Sequence, residues 1–262
     1  MSTVDLRYLD AHQYGQWLQQ PGATVIVPVG AFEQHGPHLP MASDEILSGH
    51  MARGVAERTG AKVAAPINYG YKSQQKSGGG DHLPGTISLD AATLIGITRS
   101  IVSSYLRQGV TRLVLLNGHY ENYQFLYEGI DLALREGGFT TSKAGAPAVL
   151  LLSYWDYVTE QTLAEVYPDG FPGWDIEHGG VLETALMLHL QPELVDLERA
   201  VDHPAAELPR FDRLPVVAER TPVSGCLSAP TGATADKGRL LYEQVTMSIA
   251  ADLEEELGSS PA

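Results

Sequence analysis

The sequence contains little cysteine and few basic side chains. Its 262 residues include one cysteine, Cys226, so neither an internal disulfide nor a cysteine-rich zinc site can form. Lysine and arginine total 17 against 32 aspartate and glutamate residues, which gives a formal net charge of −15 at pH 7. Because this charge repels phosphate backbones and anionic lipid surfaces, neither nucleic acid nor a membrane is an expected partner.

Long apolar runs are also missing. None approaches the ~20 residues of a membrane-spanning helix. The first residues, MSTVDLRYLDAHQYGQW, have neither the basic start nor the apolar core of a signal peptide. Together with the single cysteine, these absences predict a soluble, cytoplasmic protein. Since 44% of the residues are hydrophobic, we expect one domain spanning residues 1–262.

Short apolar runs alternate with longer helical patterns, which is typical of an α/β fold. Strands that are apolar on both faces, as in buried parallel sheets, are predicted at residues 23–29, 61–66, 112–118 and 148–154. Helices are predicted at residues 44–60, 91–109, 122–136, 181–189 and 237–257. Ser43 and Asp90 are predicted N-caps, and Gly60 and Gly109 are predicted to end their helices with positive φ. The proline-rich residues 202–230 show no pattern that assigns a structure.

Two strand ends carry pairs of metal-binding side chains. Glu33 and His35 follow the first strand two residues apart, and His119 and Glu121 repeat this spacing after the third. Residues i and i+2 of an extended chain point the same way, and ligands of open α/β sheets bind beyond the carboxyl ends of strands. Asp44 begins the next helix with a carboxylate that could bridge two cations. These imidazoles and carboxylates together predict a dinuclear zinc or manganese site.

A long loop follows the last predicted strand and leads to Glu183. It contains Trp155, Trp174, Asp175, Glu177 and His178. Aromatic residues in such a glycine- and proline-rich segment predict a lid that excludes water, although each tryptophan alone could equally anchor the loop. Residues 74–86 lack the ending of a phosphate-binding loop and are interpreted as a mobile wall of the site. The isolated His38, His50 and His189 are interpreted as surface or structural histidines.

Four segments together resemble the creatininase family: VPVGAFEQHGPHLP, YGYKSQQKSGGGDHLPGTISLD, LVLLNGHYEN and GWDIEHGGVLET. Their order and spacing match over almost the whole chain. The resemblance implies a three-layer αβα sandwich with a mainly parallel central sheet, a homohexamer, and two divalent metals bridged by Asp44 and a water. It assigns Glu33 and His119 to one metal, often manganese, and His35 and Glu121 to the other, usually zinc; zinc in both positions is the alternative.

The resemblance also implies a reaction, the interconversion of creatinine and creatine with uptake of water. By the same carry-over the substrate-contacting residues are Ser77, Tyr120, Trp174, Asp175 and His178, with Trp155 closing over the substrate. His178 is expected to carry a proton to the leaving ring nitrogen, because histidine ordinarily titrates near neutral pH, and Glu121 is its expected partner. Glu177 and Glu183 are expected to orient an imidazole or a metal ligand.

Three other functions stay open at this point. Another amidohydrolase of the wider family, acting on a formamide or a peptide, would keep the metal ligands and lack the aromatic lid. A serine or cysteine hydrolase is disfavoured because the sequence has no G-x-S-x-G elbow and Cys226 has no recognisable base partner. A non-catalytic protein with a structural metal would usually use cysteine and histidine rather than a carboxylate-rich set.

Overall fold

A computed structural model describes residues 3–143 and 145–258 of the chain. Its central sheet has the strand order β2-β1-β3-β4, with all pairs parallel. The strands are β1 (Thr24–Val29), β2 (Lys62–Val63), β3 (Arg112–Asn117) and β4 (Ala148–Ser153). The α-helices are α1 (Ala11–Leu18), α2 (Ser43–Thr59), α3 (Ala91–Arg107), α4 (Tyr123–Glu136), α5 (Glu160–Val166), α6 (Val181–Leu190) and α7 (Ala235–Leu257). Short 3-10 helices cover Leu6–Tyr8, Tyr120–Asn122, Tyr154–Tyr157, Pro192–Leu194, Leu197–Arg199 and Ala218–Arg220.

Alternate residues of the central strands divide the core into two halves. On one face, Ile26 and Leu116 pack in an apolar cluster with α2, α6 and α7. On the other face, Val27 and Leu115 pack with α1, α3 and α4. Because helices cover both faces of a parallel sheet, the fold is the expected three-layer αβα sandwich. Within the described part of the chain, no helix combines the length and apolarity needed to cross a bilayer.

Of the two predicted N-caps, Ser43 is wrong, whereas Asp90 is the N-cap residue of α3 but makes no capping hydrogen bond. Helix α2 begins at Ser43 itself, after Ala42, and the Ser43 hydroxyl donates to the carbonyl of Pro40 at 2.7 Å. Asp90 does precede α3, but its carboxylate makes no capping hydrogen bond and instead pairs with the Lys72 ammonium at 2.5 Å. In both cases a nearby partner outside the helix binds the side chain, and propensity alone does not reveal such a partner.

Most predicted elements are present, with shifted ends. Gly60 and Gly109 have the predicted positive φ, at 75° and 91°. The strand predicted at 61–66 is only two residues long, because Pro66 has no N–H to donate to a ladder. Helices α1 and α5 were not predicted. Apart from the turn Ala218–Arg220, the unassigned region 202–230 contains neither helix nor strand.

The sheet directs three chain segments to one edge. Strands β1, β3 and β4 end in register at Val29, Asn117 and Ser153. A Cβ atom on Gly30 would lie only 2.4 Å from the backbone nitrogen of Glu45. The missing side chain at Gly30 therefore lets the first turn of α2 pack directly against the strand ends.

The crossing of α6 and α7 depends on Gly238, where a Cβ atom would lie 1.9 Å from the carbonyl oxygen of Ala185. We expect Gly238→Ala to destabilise the fold by about 1–3 kcal/mol through overpacking. The matched control is Gly96→Ala in α3, because nothing lies within 4 Å of that position. It should stabilise the fold by about 0.5–1 kcal/mol. Urea midpoints measure both changes, and wild-type stability of Gly238→Ala would contradict the close crossing.

Candidate metal centre

Six ionisable side chains converge beyond the carboxyl ends of β1 and β3. Glu33 and His35 follow β1, and His119 and Glu121 follow β3. The first turns of α2 and α6 supply the remaining two carboxylates. All six side chains are buried: Glu33, His35, Asp44, His119, Glu121 and Glu183. The structure thus brings the five predicted metal ligands together and adds Glu183 to them.

The donor atoms form three sets, of which two share Asp44 and the third joins Glu33, His35 and His178. Glu33, Asp44 and His119 have ligand atoms within 4.8 Å of one another, and so do His35, Asp44 and Glu183. His35 Nε2 lies 2.9 Å from Asp44 Oδ1, and His119 Nδ1 lies 3.0 Å from Asp44 Oδ2. The two oxygens of Asp44 therefore face different histidines, as the oxygens of a bridging carboxylate would.

The geometry favours Glu183 over Glu121 as the partner of His35. Glu183 Oε1 lies 3.6 Å from His35 Nε2. Glu121 Oε2 instead lies 3.3 Å from Nε2 of His119, the ring nitrogen opposite the one that faces Asp44. The other oxygen of Glu121 accepts from the Ser77 hydroxyl at 2.5 Å. Glu121 thus contacts His119 rather than His35, whereas the resemblance assigns Glu121 and His35 to the same metal.

Three histidines each hold one ring nitrogen against a backbone carbonyl. The carbonyl oxygens of Glu33, Tyr71 and Gln34 lie 3.2, 3.0 and 2.8 Å from His35 Nδ1, His119 Nε2 and His178 Nε2, respectively. Because a carbonyl only accepts, these nitrogens carry the hydrogens, and the opposite nitrogens present lone pairs when the rings are neutral. Metal-binding imidazoles are usually arranged in this way. The free nitrogens are thus His35 Nε2, His119 Nδ1 and His178 Nδ1.

Unpartnered buried atoms indicate what the cluster binds. Glu33 Oε2, His35 Nε2 and Asp44 Oδ2 are buried and lack a hydrogen bond of suitable geometry. Such atoms destabilise a fold unless another group compensates them. Mixed nitrogen and carboxylate donors suit zinc or manganese. The residues therefore fit a pair of divalent cations.

The carboxylates and imidazoles shift one another's titration. Burial would lower the pKa of His35 and of His119, but the adjacent carboxylates raise both pKa values well above the ordinary range. Burial would raise the pKa of Glu33 and of Asp44, but the adjacent imidazoles hold both pKa values below the ordinary range. The carboxylates thus favour positive charge at the centre, and bound cations would take the place of protons.

A cavity of about 40 Å³ adjoins the cluster. Five of the six predicted substrate-contacting residues line it: Ser77, Tyr120, Trp155, Trp174 and His178. The ring centroids of Tyr120 and Trp155 are 6.2 Å apart, so these side chains form an aromatic wall. Asp175 is exposed, and the described residues that line the cavity do not include it.

Glu177 orders the turn that leads into α6. Its Oε1 accepts hydrogen bonds from the Tyr167 hydroxyl at 2.5 Å and from the Leu182 amide at 2.7 Å. Burial and the neighbouring Glu183 raise the pKa of Glu177 to about 7. In the same turn, the Gly179 amide donates to Glu183 Oε2 at 2.7 Å. This geometry suits the orienting role expected of Glu177.

Sequence reasoning missed that the proline-rich region packs against two loops of the site. Cβ atoms on Gly36 and Gly179 would lie 2.3 and 2.7 Å from the Cys226 sulfur, so this thiol fills a notch between two loops of the site. The next residue also contacts the site, since the Leu227 amide donates to the carbonyl of His178 at 3.1 Å. Burial raises the pKa of the Cys226 thiol to about 12, which favours a packing role over a nucleophilic one. The glycines within the two polar motifs were the only sequence signal of this packing.

His38 is a structural histidine whose Nε2 lies 2.9 Å from the Thr184 hydroxyl of α6. Burial lowers its pKa from 6.5 to about 4. Between these values the unfolded chain binds the extra proton, so this contribution to stability is complete above pH 6.5 and is lost as pH falls to 4. In His38→Gln this loss should disappear. Urea unfolding at fixed metal content measures the free energy of unfolding of both proteins. The amount by which His38→Gln is less stable than wild type should shrink by up to about 3 kcal/mol on acidification. A difference that does not change with pH would contradict the assignment.

Comparison with known proteins agrees with this centre. Residues 8–253 match the model of the creatininase family, described as creatinine amidohydrolase. The chain is 52% identical to the creatinine amidohydrolase of Pseudomonas putida over 88% of this chain and 89% of that protein. A manganese form of creatininase and a zinc–zinc form of a creatininase mutant are each 48% identical, with TM-scores of 0.94 over 98% of this chain and 99% of theirs. This chain therefore belongs to the creatininase family.

Proposed function

We propose that this chain hydrolyses the ring amide of creatinine to give creatine, using two divalent cations held by the buried cluster. The observation that carries this proposal is Asp44, shared by two nitrogen- and carboxylate-containing donor sets beside a cavity with an aromatic wall. Family membership and the 52% identity to a creatinine amidohydrolase support the substrate. A formamide or peptide substrate is not favoured, because this identity extends over most of the chain and the aromatic wall is retained.

Manganese and zinc, or zinc in both positions, are the proposed cations, since similar creatininases carry them. Glu33 and His119 would hold one cation, His35 and Glu183 would hold the other, and Asp44 would bridge them. When bound, such cations activate a water and polarise the amide carbonyl. This assignment uses Glu183 where the resemblance uses Glu121, because Glu183 is the carboxylate grouped with His35.

His178 is the proposed proton carrier. In the hydrolysis the water oxygen bonds to the carbonyl carbon, the ring C–N bond breaks, and the ring nitrogen gains a proton. His178 Nε2 is held at the carbonyl of Gln34, and its Nδ1 faces the cluster, 3.8 Å from Glu33 Oε1. Nδ1 is therefore the atom that would deliver the proton. Glu121 is the proposed second participant, because burial raises the pKa of its carboxyl and Ser77 holds it beside the cavity.

The aromatic wall is proposed to move when substrate enters. The cavity of about 40 Å³ is far smaller than the roughly 300 Å³ at the lower end of ligand pockets. We propose that Trp155 and Trp174 open for creatinine and then close over it, with Ser77 and Tyr120 among its contacts. The proposal includes Asp175 only through the family resemblance.

The homohexamer, the cytoplasmic location and the single domain over residues 1–262 stay predictions. The homohexamer rests on the family resemblance. The cytoplasmic location rests on the cysteine content and the N-terminal sequence.

The metal assignment can be tested by chelation and by Glu183→Gln. We expect a chelator to abolish creatinine hydrolysis and to leave the circular dichroism unchanged, because the donors lie outside a large apolar core. Manganese or zinc should restore activity. Elemental analysis should find two cations per subunit in the wild type, about one in Glu183→Gln and two in the exposed control Glu193→Gln. Two tightly bound cations in Glu183→Gln would remove Glu183 from the ligand set.

Separate roles for His178 and Trp155 predict different kinetic losses. His178→Ala should lower kcat by about 10²- to 10⁴-fold, the usual range for general acid–base catalysis. Trp155→Ala should mainly weaken substrate binding and reduce kcat less, because it admits water to the site. Neither variant should lose metal. Kinetics at saturating manganese test this, and a near-normal kcat for His178→Ala would move the proton transfer to another residue, with Glu121 first in line.

A further inference from the structure

The buried side chain of Gln34 ties three chain segments together. Its Nε2 donates to the carbonyl of Gly225 at 2.9 Å and to that of Gly78 at 3.3 Å. Its Oε1 accepts from the amide of Gly36 at 3.0 Å. One amide thus joins its own loop after β1, the loop that carries Ser77, and the proline-rich region.

The backbone approaches this amide closely because glycine stands at the contact points. A Cβ atom on Gly225 would lie 2.0 Å from Gln34 Oε1, and one on Gly79 would lie 3.2 Å from Gln34 Nε2. Both glycines also have positive φ, at 85° and 80°. Backbone groups therefore surround the amide of Gln34 closely. A side chain of another shape or polarity would not fit there or would leave these groups without hydrogen bonds.

The same residue fixes the ring of His178. The carbonyl oxygen of Gln34 accepts from His178 Nε2 at 2.8 Å, and the side-chain nitrogen of Gln34 lies 3.0 Å from the same ring nitrogen. The two amide hydrogens are already directed at the carbonyls of Gly225 and Gly78, so this second contact is packing between two donors. The amide thus lies against Nε2 and leaves Nδ1 facing the cluster.

We propose that Gln34 is a positioning residue for the hydrolysis, whose amide holds the Ser77 loop and the proline-rich region at a fixed spacing behind His178. This inference rests on the proposed proton-carrying role of His178. With the amide in place, the imidazole keeps Nε2 on the backbone carbonyl and Nδ1 toward the substrate. Without it, the two loops separate and the ring can rotate away from the reacting nitrogen.

Gln75 provides a matched control on the outer side of the same two segments. Its Nε2 donates to the carbonyl of Val217 at 2.8 Å and to the Thr221 hydroxyl at 3.0 Å. It also links the Ser77 loop to the proline-rich region. Within the described residues, however, the hydrogen bonds of the His178 ring are with Gln34 and not with Gln75. A purely structural role for such links predicts similar effects from Gln75 and Gln34 substitutions.

The test is a double-mutant cycle on the metal-loaded enzyme, with kcat, KM, metal content and circular dichroism measured for each variant. Gln34→Met should lower kcat by about 10- to 100-fold, with a smaller change in KM, because the proton carrier is misplaced while the substrate still binds. Metal content and fold should be unchanged, and Gln75→Met should lower kcat much less than Gln34→Met. In the His178→Ala background, Gln34→Met should cost little more, because the group that it positions is gone.

A second variant, Gln34→Glu, separates hydrogen bonding from volume and replaces the methionine variant if that one does not fold. It keeps the shape and the acceptor for Gly36 but loses both donors, so its kcat should also fall. Near-normal kcat for Gln34→Met beside an inactive His178→Ala would overturn the inference and leave the role of His178 intact. An equal loss from Gln34→Met in both backgrounds would show that Gln34 acts independently of His178. An active His178→Ala would refute the proposed proton carrier, and with it the inference.

Discussion

The rest of the structure depends on one electrostatic constraint, the burial of many carboxylates around a single small cavity. Its lining includes Glu33, Asp44, Glu121, Glu177 and Glu183, and no lysine or arginine from the described residues. Buried charges destabilise a fold unless they are paired or bind metal. The imidazoles of the cluster compensate part of this charge, and two divalent cations compensate the rest. The strand ends and the glycine at position 30 serve this constraint, because they bring distant carboxylates within reach of the same ions.

Backbone carbonyls, rather than other side chains, set the orientation of the histidine rings in this centre. The carbonyls that orient His35, His119 and His178 belong to Glu33, Tyr71 and Gln34, in loops that follow strands of the sheet. The donor nitrogens are therefore oriented before any cation binds. Pre-organisation of this kind favours tight binding and correct geometry. Gln34 contributes to this pre-organisation in two ways. Its carbonyl orients His178, and its side chain holds the loops behind that ring.

The sequence predicted those parts of the structure that depend on local periodicity. The pairs Glu33 and His35, and His119 and Glu121, could be placed together because their spacing and strand ends are visible in a few residues. The pairing of Glu183 with His35 could not, because it depends on where a long loop returns the chain after β4. The capping hydrogen bonds expected of Ser43 and Asp90 are absent because both side chains bind partners outside their helices. The proline-rich region could not be assigned because many of its contacts are backbone and amide hydrogen bonds, which leave no apolar period in the sequence.

The metal donors and the aromatic wall belong to different kinds of structure, and this separation has a chemical consequence. The donors come from strand ends and the first turns of helices, which the core holds in place. Trp155 lies in the short 3-10 helix Tyr154–Tyr157, and Trp174 lies in a loop beside Gly173, whose φ is 115°. A site that must admit a substrate larger than its cavity needs a wall that moves while its ligands stay fixed. Because the two proposed functions use different elements, the wall can change to suit the substrate without loss of the metals, and we propose that substrate choice is decided at Trp155, Trp174 and their neighbours.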